Sequence, residues 1–272
     1  CGETIAPGES ARPFARSVVS EALSRASSVE LQPSLDAVGT PASRGRWVIV
    51  DLETTGLGAG AEITEIGAVS VQDGAIIDEF SSLVKPSRPI PPFITSLTGI
   101  TPAMVANADP IASVLERFMD WSGLGTKGGP VLVAHNASFD VGFLRRAARA
   151  SSLPWPRIRV VDTLALARLA LPRPLVRNHK LGTIASYFGT ATVPEHRALG
   201  DARATAEILL GFIDLLAGAG ATDVEDLVAL TERAPARRPS TPSFVADLPT
   251  SPGVYHFIDT SGDTLYVGSA SS

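Results

Sequence analysis

The stretch "WVIVDLETTGLG", residues 47–58, runs from apolar, β-branched residues into two carboxylates, Asp51 and Glu53, and then into a turn. A short run of this kind, bounded by a glycine turn, predicts a buried β-strand. Residues i and i+2 of a strand face the same side, so both carboxylates point the same way. Two like charges this close repel each other unless a positive charge lies between them. The stretch therefore predicts a site for a hard divalent cation, Mg²⁺ or Mn²⁺, which prefers oxygen ligands.

A strand that simply ends in solvated acids would contain the same two residues, because D-x-E alone is common. Two further segments favour the metal site. In "HNASFD" (135–140), Asp140 stands at the start of a predicted helix that follows a strand, and in "HRALGD" (196–201), Asp201 stands where the last predicted helix begins. Strand ends and helix starts are the places where α/β proteins gather their functional side chains. We therefore expect these acids to converge with Asp51 and Glu53.

Composition limits the class of protein. The chain has 272 residues, 44% of them apolar, which is enough for one sizeable core and a smaller unit. Its formal net charge of -5 gives no general attraction to nucleic acid, so any polyanion must be held by local cations or metal. The single cysteine excludes an internal disulfide framework and fits a reducing, cytoplasmic setting. No apolar run approaches the roughly 18 residues of a membrane span, and we expect no membrane partner.

Hydrophobic periodicity predicts an α/β domain with strands first and alternating elements later. Three successive strands are predicted in "RWVIVDL", "AEITEIGAVSVQDG" and "AIIDEFSSLVKP", the last two forming a hairpin that turns at Asp73–Gly74. Two more strands are predicted in "PVLVAHN" and "RIRVVD". Helices are predicted over 110–121, 137–150, 163–171 and 200–216.

The domain boundaries follow from changes in composition. We predict a flexible leader over 1–45, an α/β domain over 46–217, a linker over 218–247 and a second unit over 248–272. The second unit contains "GVYHFIDTSGDTLYVG", two alternating runs around a Ser261–Gly262 turn, which predicts a hairpin. Because an isolated hairpin is marginally stable, we expect it to open a domain that this chain does not finish.

Three motifs carry a resemblance to a known family. D-x-E-T-T-G after a buried strand, H-N-x-x-F-D opening a helix and H-x-x-x-x-D opening the last helix occur in this order within 46–216. They resemble the exonuclease motifs of the DEDDh family, that of the proofreading epsilon subunit of DNA polymerase III. The resemblance implies a ribonuclease H-like fold with a mixed five-stranded sheet flanked by helices. It also implies release of nucleoside 5′-monophosphates from the 3′ end of a nucleic acid.

The resemblance implies roles for five residues: metal binding by Asp51, Glu53, Asp140 and Asp201, and general base for His196. The cofactor would be two divalent ions, Mg²⁺ or Mn²⁺, because paired cations activate the attacking water and stabilise the leaving oxygen. A histidine, with a reference pKa of about 6.5, accepts a proton near neutral pH. His135, at a strand end, is interpreted instead as a structural hydrogen-bonding group, and His179 and His256 as incidental.

Substrate contacts are expected from seven further residues: Thr54, Thr55, Gly56, Leu57, Thr98, Asn136 and Phe139. In the turn at 54–57, backbone N–H groups would face the terminal 3′-hydroxyl and Leu57 would lie against a base. Thr98 belongs to "LTGIT" (97–101), which fits the family's middle segment. For Phe139, packing in the core is an equally good interpretation.

Basic residues occur in two groups: Arg145, Arg146 and Arg149 on one predicted helix, and Arg173, Arg177 and Lys180 before the third motif. Such groups can contact a few phosphates with salt-sensitive affinity. An ordinary solvated helix face would contain the same residues, so both interpretations stay open.

The end of the chain carries a second resemblance. From about Leu248, "PGVYHFIDTSGDTLYVGSA" resembles the opening of a GIY-YIG nuclease domain like that at the N-terminus of the excision-repair endonuclease UvrC. Gly253–Tyr255 stands for GIY and Tyr266–Gly268 for YIG. In that family an arginine and a metal-binding glutamate further on complete the site, and both would fall beyond Ser272. We therefore do not expect this segment by itself to cut DNA. The alternative is any β-hairpin with two tyrosines.

The sequence thus predicts an enzyme, a metal-dependent 3′-to-5′ exonuclease that acts on single-stranded or recessed DNA 3′ ends in DNA repair. One alternative is the same chemistry on RNA or short oligonucleotides, because the motifs do not distinguish ribose from deoxyribose. Another is an inactive module that binds nucleic-acid ends. The presence of all five catalytic residue types argues against the inactive module.

Overall fold

The computed structural model of the chain describes residues 39–58, 60–233, 253–258 and 264–270. The chain divides into two units, Cys1–Ala234 and Pro235–Ser272. Among the described residues, no helix combines the length and the apolar character that crossing a membrane requires.

The first unit begins with strands and continues with alternating helices and strands. A 3-10 turn (Ala42–Arg44) precedes strands β1 (Arg46–Thr54), β2 (Ile63–Gln72) and β3 (Ala75–Lys85). Helices α1 (Pro92–Thr98) and α2 (Pro102–Val105) then lead to the two-residue strand β4 (Asp109–Pro110). The remaining elements are α3 (Ile111–Ser122), β5 (Val131–Ala134), α4 (Ala137–Ala150), β6 (Val160–Asp162), α5 (Thr163–Ala170), α6 (Leu181–Phe188), α7 (Ala198–Ala217) and α8 (Val224–Arg233).

The strands form one mixed sheet in the order β4-β3-β2-β1-β5-β6. β2 pairs antiparallel with β1 and β3, whereas β1–β5, β5–β6 and β3–β4 are parallel. The predicted hairpin between β2 and β3 is present. Its turn residues Asp73 and Gly74 both have positive φ, 50° and 76°, as a tight antiparallel turn requires. The sheet has six strands rather than the predicted five, because the short β4 pairs with the end of β3.

Helices cover both faces of the sheet, and β1 lies near its centre. Trp47 and Ile49 pack in the cluster that contains α7, while Val48 and Val50 pack in the cluster that contains α3 and α4. This two-sided burial explains why β1 reads as a continuous apolar run rather than as an alternating one. By strand alternation Asp51 continues the face of Trp47 and Ile49. The acids at the end of β1 are therefore directed toward α7.

The packed unit extends beyond the predicted domain on both sides. Ala42, assigned to the leader, is buried, and its N–H donates to the carbonyl of Thr222 at 2.8 Å. The N–H of Val224, assigned to the linker, donates to the carbonyl of Thr40 at 2.9 Å, and Leu227 of α8 is fully buried. Contacts between residues so far apart in sequence leave no local pattern. The rest of the predicted leader, residues 1–38, lies outside the described residues.

In the second unit, β7 (Gly253–Ile258) and β8 (Thr264–Ala270) pair antiparallel. Tyr255 is opposite Gly268, and Phe257 is opposite Tyr266. The predicted hairpin is therefore present, although its Ser261–Gly262 turn lies outside the described residues. A hairpin alone does not identify a nuclease domain, so the GIY-YIG resemblance stays a prediction.

Candidate active site

Acids from the first and third motifs meet at the end of β1. Asp51 and Glu53 are half-buried near this end, and Asp201 is buried in the first turn of α7. One carboxylate oxygen from each of the three residues lies within 4.8 Å of the other two. The structure therefore brings together three of the four acids predicted to bind metal.

Asp140, the fourth acid, adjoins this cluster from α4. It lies in the first turn of the helix and is only 3% exposed. Burial raises the pKa of Asp140, and hydrogen bonds from its own backbone N–H and from the N–H of Leu52 lower it only in part. Because Leu52 lies between Asp51 and Glu53 in β1, its bond ties the start of α4 to the strand that carries both acids. The charge of Asp140 in turn raises the pKa of Asp51.

Hydrogen bonds hold the turn that precedes α4 and thereby position Asp140. Asn136, at the start of α4, has a left-handed backbone (φ 77°), and its N–H donates to Oδ1 of Asp162 at 3.0 Å. The same oxygen accepts the N–H of Leu164 at 2.9 Å and caps α5. Asp162, which the sequence analysis did not single out, therefore joins the starts of two helices. Asn136 is exposed, and its backbone forms part of this turn.

The histidine next to that turn is structural, as interpreted. The ring of His135 bonds Thr163 Oγ1 through Nδ1 (3.0 Å) and the carbonyl of His179 through Nε2 (2.9 Å). Burial lowers the pKa of His135. His179 is not incidental, because its own Nε2 lies 2.9 Å from the carbonyl of Leu171.

His196 lies on the loop that enters α7. Its side chain is exposed, and its backbone has a φ of 55°, a left-handed value that histidine adopts more readily than most residues. Oδ1 of Asp201 accepts the N–H of Glu195 at 2.9 Å, so the acid holds the loop next to its own helix. The charge of His196 lowers the pKa of Asp201 against the raising effect of burial. His196 therefore lies beside the carboxylate cluster.

A fifth acid, Glu65, was not predicted. It lies on β2 opposite Glu53, and its side chain is 3% exposed. It accepts hydrogen bonds from Nε and Nη2 of Arg197, at 3.1 and 2.7 Å, and from the N–H of Ala198 at 3.1 Å. The only cue in the sequence is that Glu65 is the one charged residue of β2.

Burial raises the pKa of all four predicted ligands, and the charges of neighbouring acids raise it further. Burial is the largest cause in each case. For Glu53, burial followed by the charges of Asp201 and Glu65 raises the pKa to about 8. The positive charges of Arg197 and His196 lower the pKa of Glu53 and Asp201 without offsetting these effects. A divalent cation with oxygen ligands supplies the further positive charge that such a group needs. The residues therefore fit a site for divalent metal.

The threonines of the turn after β1 bond within the turn. Oγ1 of Thr54 donates to the carbonyl of Gly56 at 2.8 Å. The N–H of Thr55 donates to the carbonyl of Glu62 at 2.8 Å, and its Oγ1 accepts the N–H of Glu62 at 3.0 Å. The N–H of Thr55 is therefore bonded to the carbonyl of Glu62 rather than facing a substrate hydroxyl, which was the expectation for this turn. Gly56 has open space around it, and Leu57 is 86% exposed.

Two predicted substrate contacts have other roles. Thr98 is 4% exposed, and its hydroxyl donates to the carbonyl of Ile94 (3.0 Å) and accepts the N–H of Ile100 (3.1 Å). Its hydroxyl therefore stabilises the end of α1, and the contact of Thr98 with substrate stays a prediction. Phe139 is half-buried, with its ring centroid 4.7 Å from that of Phe143, which favours the core-packing interpretation.

Sequence comparisons connect this site to known proteins. Residues 48–209 match the RNase_T family model, which is described as Exonuclease. A Mycobacterium tuberculosis protein, named as a bifunctional exonuclease/endonuclease, is 44% identical over 231 residues, 82% of this chain and 35% of that protein. A PolC-type DNA polymerase III of Caldanaerobacter subterraneus is 41% identical over 184 residues, 67% of this chain and 13% of the polymerase. The chain thus spans well under two thirds of the length of either relative.

Solved structures show the same architecture. Exonuclease X in complex with 5′ overhanging duplex DNA is 29% identical with a TM-score of 0.52, over 68% of this chain and 99% of that one. The nuclease domain of 3′hExo, a DEDDh family member bound to rAMP, is 25% identical with a TM-score of 0.55, over 63% of this chain and 92% of that one. These similarities confirm the predicted α/β, ribonuclease H-like exonuclease fold.

Proposed function

Because the chain belongs to the RNase_T exonuclease family, we propose that it is a metal-dependent 3′-to-5′ exonuclease that releases nucleoside 5′-monophosphates from DNA ends. The observation that carries this proposal is the convergence of the carboxylates of Asp51, Glu53 and Asp201 within 4.8 Å. The buried Asp140 and the exposed His196 lie beside them.

The four acids are assigned as ligands of two divalent ions, Mg²⁺ or Mn²⁺. When bound, such ions stabilise charge on the phosphate and leaving oxygens and make water a better nucleophile. His196 is the general base that accepts the proton of the attacking water, a role that typically contributes about 10²- to 10⁴-fold in rate. Asp201 and the bonded N–H of Glu195 keep the histidine loop at the cluster.

The turn after β1 offers the terminal nucleotide two features. Gly56 has no side chain, and an added Cβ would meet no atom within 4 Å, so a ligand can approach the backbone closely. Leu57, next to it, exposes 86% of its surface. An exposed leucine beside a carboxylate cluster provides an apolar surface for a base. We assign Leu57 to contact with the base of the terminal nucleotide.

Similar proteins support a nucleic-acid substrate and leave two candidates. Exonuclease X was solved with 5′ overhanging duplex DNA, whose 3′ end is recessed, which favours DNA ends. The 3′hExo domain was solved with rAMP, which favours RNA as the second candidate. The bifunctional name of the Mycobacterium tuberculosis relative, together with the GIY-YIG resemblance near the end of this chain, supports a role in DNA repair.

The test compares matched substrates and matched variants. Single-stranded DNA, recessed DNA and RNA of the same sequence are incubated with Mg²⁺ or Mn²⁺, with EDTA as the metal-free control. We expect wild type to shorten DNA, Asp51→Asn to lose this activity, and Asp120→Asn, which changes an exposed acid of α3, to keep it. Faster shortening of RNA would select the second candidate. Tight binding of ends without shortening under either metal would overturn the proposal in favour of an inactive end-binding module.

A further inference from the structure

A cavity of about 580 Å³ lies between the turn that enters β2 and α4, and its lining contains none of the proposed metal ligands. One wall is the second half of the turn between β1 and β2, and the opposite wall is the face of α4 that carries Phe143 and Ala147. The end of β3 and the start of α3 close its sides. The volume falls within the range of small-molecule sites, about 300 to 1,000 Å³.

The floor of the cavity is apolar. Ile63, Val84 and Phe143 line it with buried side chains, and Ala147 and Ile111 line it with half-buried ones. A concave surface of this kind suits a flat, largely apolar ring such as a nucleobase.

The rim of the cavity is positive. Lys85, Arg88 and Arg146 line it with exposed side chains, and none of them forms an ion pair within the described part of the chain. Glu62 is the one acid among the described lining residues, and its carboxylate accepts both the N–H and the hydroxyl of Ser87, each at 2.5 Å. In a chain of net charge -5, this local excess of cations favours an anionic ligand.

Two of the cations are held at the walls. Cζ of Arg146 lies 4.2 Å from the ring centroid of Phe143, so its guanidinium stacks on a ring of the floor. Nη1 of Arg88 approaches Gly60 so closely that a Cβ there would lie 2.9 Å from it. The two guanidinium groups therefore flank the cavity from α4 and from the loop after β3.

Both walls are continuous in sequence with elements that carry proposed metal ligands. The turn on one side follows Glu53 along the chain, and α4 on the other side begins with Asp140 in its first turn. Phe143 stands three residues beyond Asp140, about 4.5 Å along the helix axis. A strand that runs from the carboxylates along α4 would therefore reach the cavity with the nucleotides that precede its 3′ end.

We propose that this cavity binds an upstream nucleotide of the strand that is being shortened. The base packs on the apolar floor, and its phosphate lies between Arg88 and Arg146. The proposal rests on the exonuclease function above, and it distinguishes Arg146 from the other arginines of α4. Of the three, only Arg146 lines the cavity.

The test uses Arg146→Glu with Arg145→Glu as its matched control, because these exposed neighbours on α4 differ in whether they line the cavity. The rate of shortening is measured on single-stranded DNA from a dinucleotide to a dodecamer. We expect wild-type kcat/KM to rise with length. For Arg146→Glu, kcat/KM should fall about tenfold on the dodecamer and little on the dinucleotide. The slope of log affinity against log salt should fall by about 1 in this variant. Arg145→Glu should keep the length dependence of wild type.

The proposal would be overturned if both arginine variants lost kcat/KM equally. It would also be overturned if Arg146→Glu lost kcat/KM equally on the dinucleotide and the dodecamer. Anisotropy of a labelled dodecamer in EDTA measures binding without turnover. If wild type shortens nothing, the exonuclease proposal fails, and the anisotropy of the two variants still decides whether the cavity binds the strand. Arg88→Glu, on a different element, repeats the test if Arg146→Glu does not fold.

Discussion

Arg197, the residue after the proposed general base, forms two hydrogen bonds to the buried carboxylate of Glu65, at 2.7 and 3.1 Å. These bonds raise the pKa of Arg197. Glu65 faces Glu53 across the β1–β2 pair. The Arg197–Glu65 pair therefore fixes the loop of His196 to the strand next to Glu53. This contact links the third motif to the first one.

Arg197→Ala should both destabilise the protein and slow the reaction. It leaves the carboxylate of Glu65, 3% exposed, without its charged partner. Breaking a buried ion pair costs about 3 to 5 kcal/mol, and the half-exposed Arg197 places this variant near the lower value. Arg203→Ala is the matched control, because Arg203 forms the same two-bond contact with Glu79 at the surface. Such exposed pairs contribute at most about 1 kcal/mol.

Urea denaturation and kcat measure the two effects. We expect Arg197→Ala to lower both the free energy of unfolding and kcat, and Arg203→Ala to change neither strongly. Equal unfolding midpoints for the two variants would contradict a special role for the Arg197–Glu65 pair.

Gly67→Ala should be strongly destabilising, because α7 packs directly on this position of β2. A Cβ there would lie 2.1 Å from the backbone N of Leu199 and 2.2 Å from the carbonyl carbon of Ala198. Backbone atoms cannot move aside cheaply, so we expect a loss at or above the upper end of the usual overpacking range, about 1 to 3 kcal/mol. Gly182→Ala, on an exposed face of α6 with open space, should instead stabilise by about 0.5 to 1 kcal/mol. Thermal denaturation of both variants tests the contrast, and a Gly67→Ala protein as stable as wild type would disprove the close packing.

His196→Asn should remove catalysis while preserving the fold. Asparagine tolerates the left-handed backbone of this exposed position, so the loop should keep its shape. Loss of a general base should reduce kcat by about 10²- to 10⁴-fold. Isothermal titration with Mn²⁺ should give the affinity of wild type, because the four carboxylates are unchanged. A variant with wild-type kcat would exclude His196 as the base.

The stability of the metal-free protein should fall as pH rises. The pKa of Glu53 is raised from its ordinary value of 4.5 to about 8, mainly by burial. Between these values the folded protein keeps a proton that the unfolded chain has released, so the free energy of unfolding decreases with increasing pH. We expect the melting temperature in EDTA to drop between about pH 5 and about pH 8, and to drop less for Glu53→Gln.

Metal should oppose this loss. Mn²⁺ should raise the melting temperature of wild type more at the higher pH, where the acids must ionise. Parallel curves for wild type and Glu53→Gln in EDTA would contradict the raised pKa of Glu53.

Local patterns predicted the parts of the fold that have a local cause. The apolar run of β1 and the helical periodicity of α4 placed Asp51, Glu53 and Asp140 on the correct elements. α6 was not predicted, because it has only eight residues and includes Gly182, a poor helix former. The first and third motifs were expected to converge, and the structure brings their acids together.

Long-range pairing explains what the sequence did not reveal. Glu65 and Arg197 are 132 positions apart, and neither is one of the four motif acids. The hydroxyl of Thr98 bonds within α1 and the turn that follows, and composition does not specify these partners. Partners of this kind become visible only when the chain is folded.

The fate of a 5′-end label during digestion of single-stranded DNA with Mn²⁺ tests the proposed exonuclease function most directly. We expect labelled products that shorten one nucleotide at a time, with release of nucleoside 5′-monophosphates and no shortening by Asp51→Asn. Release of the label as the first product, or intact DNA with wild-type protein, would contradict a 3′-to-5′ exonuclease built on these carboxylates.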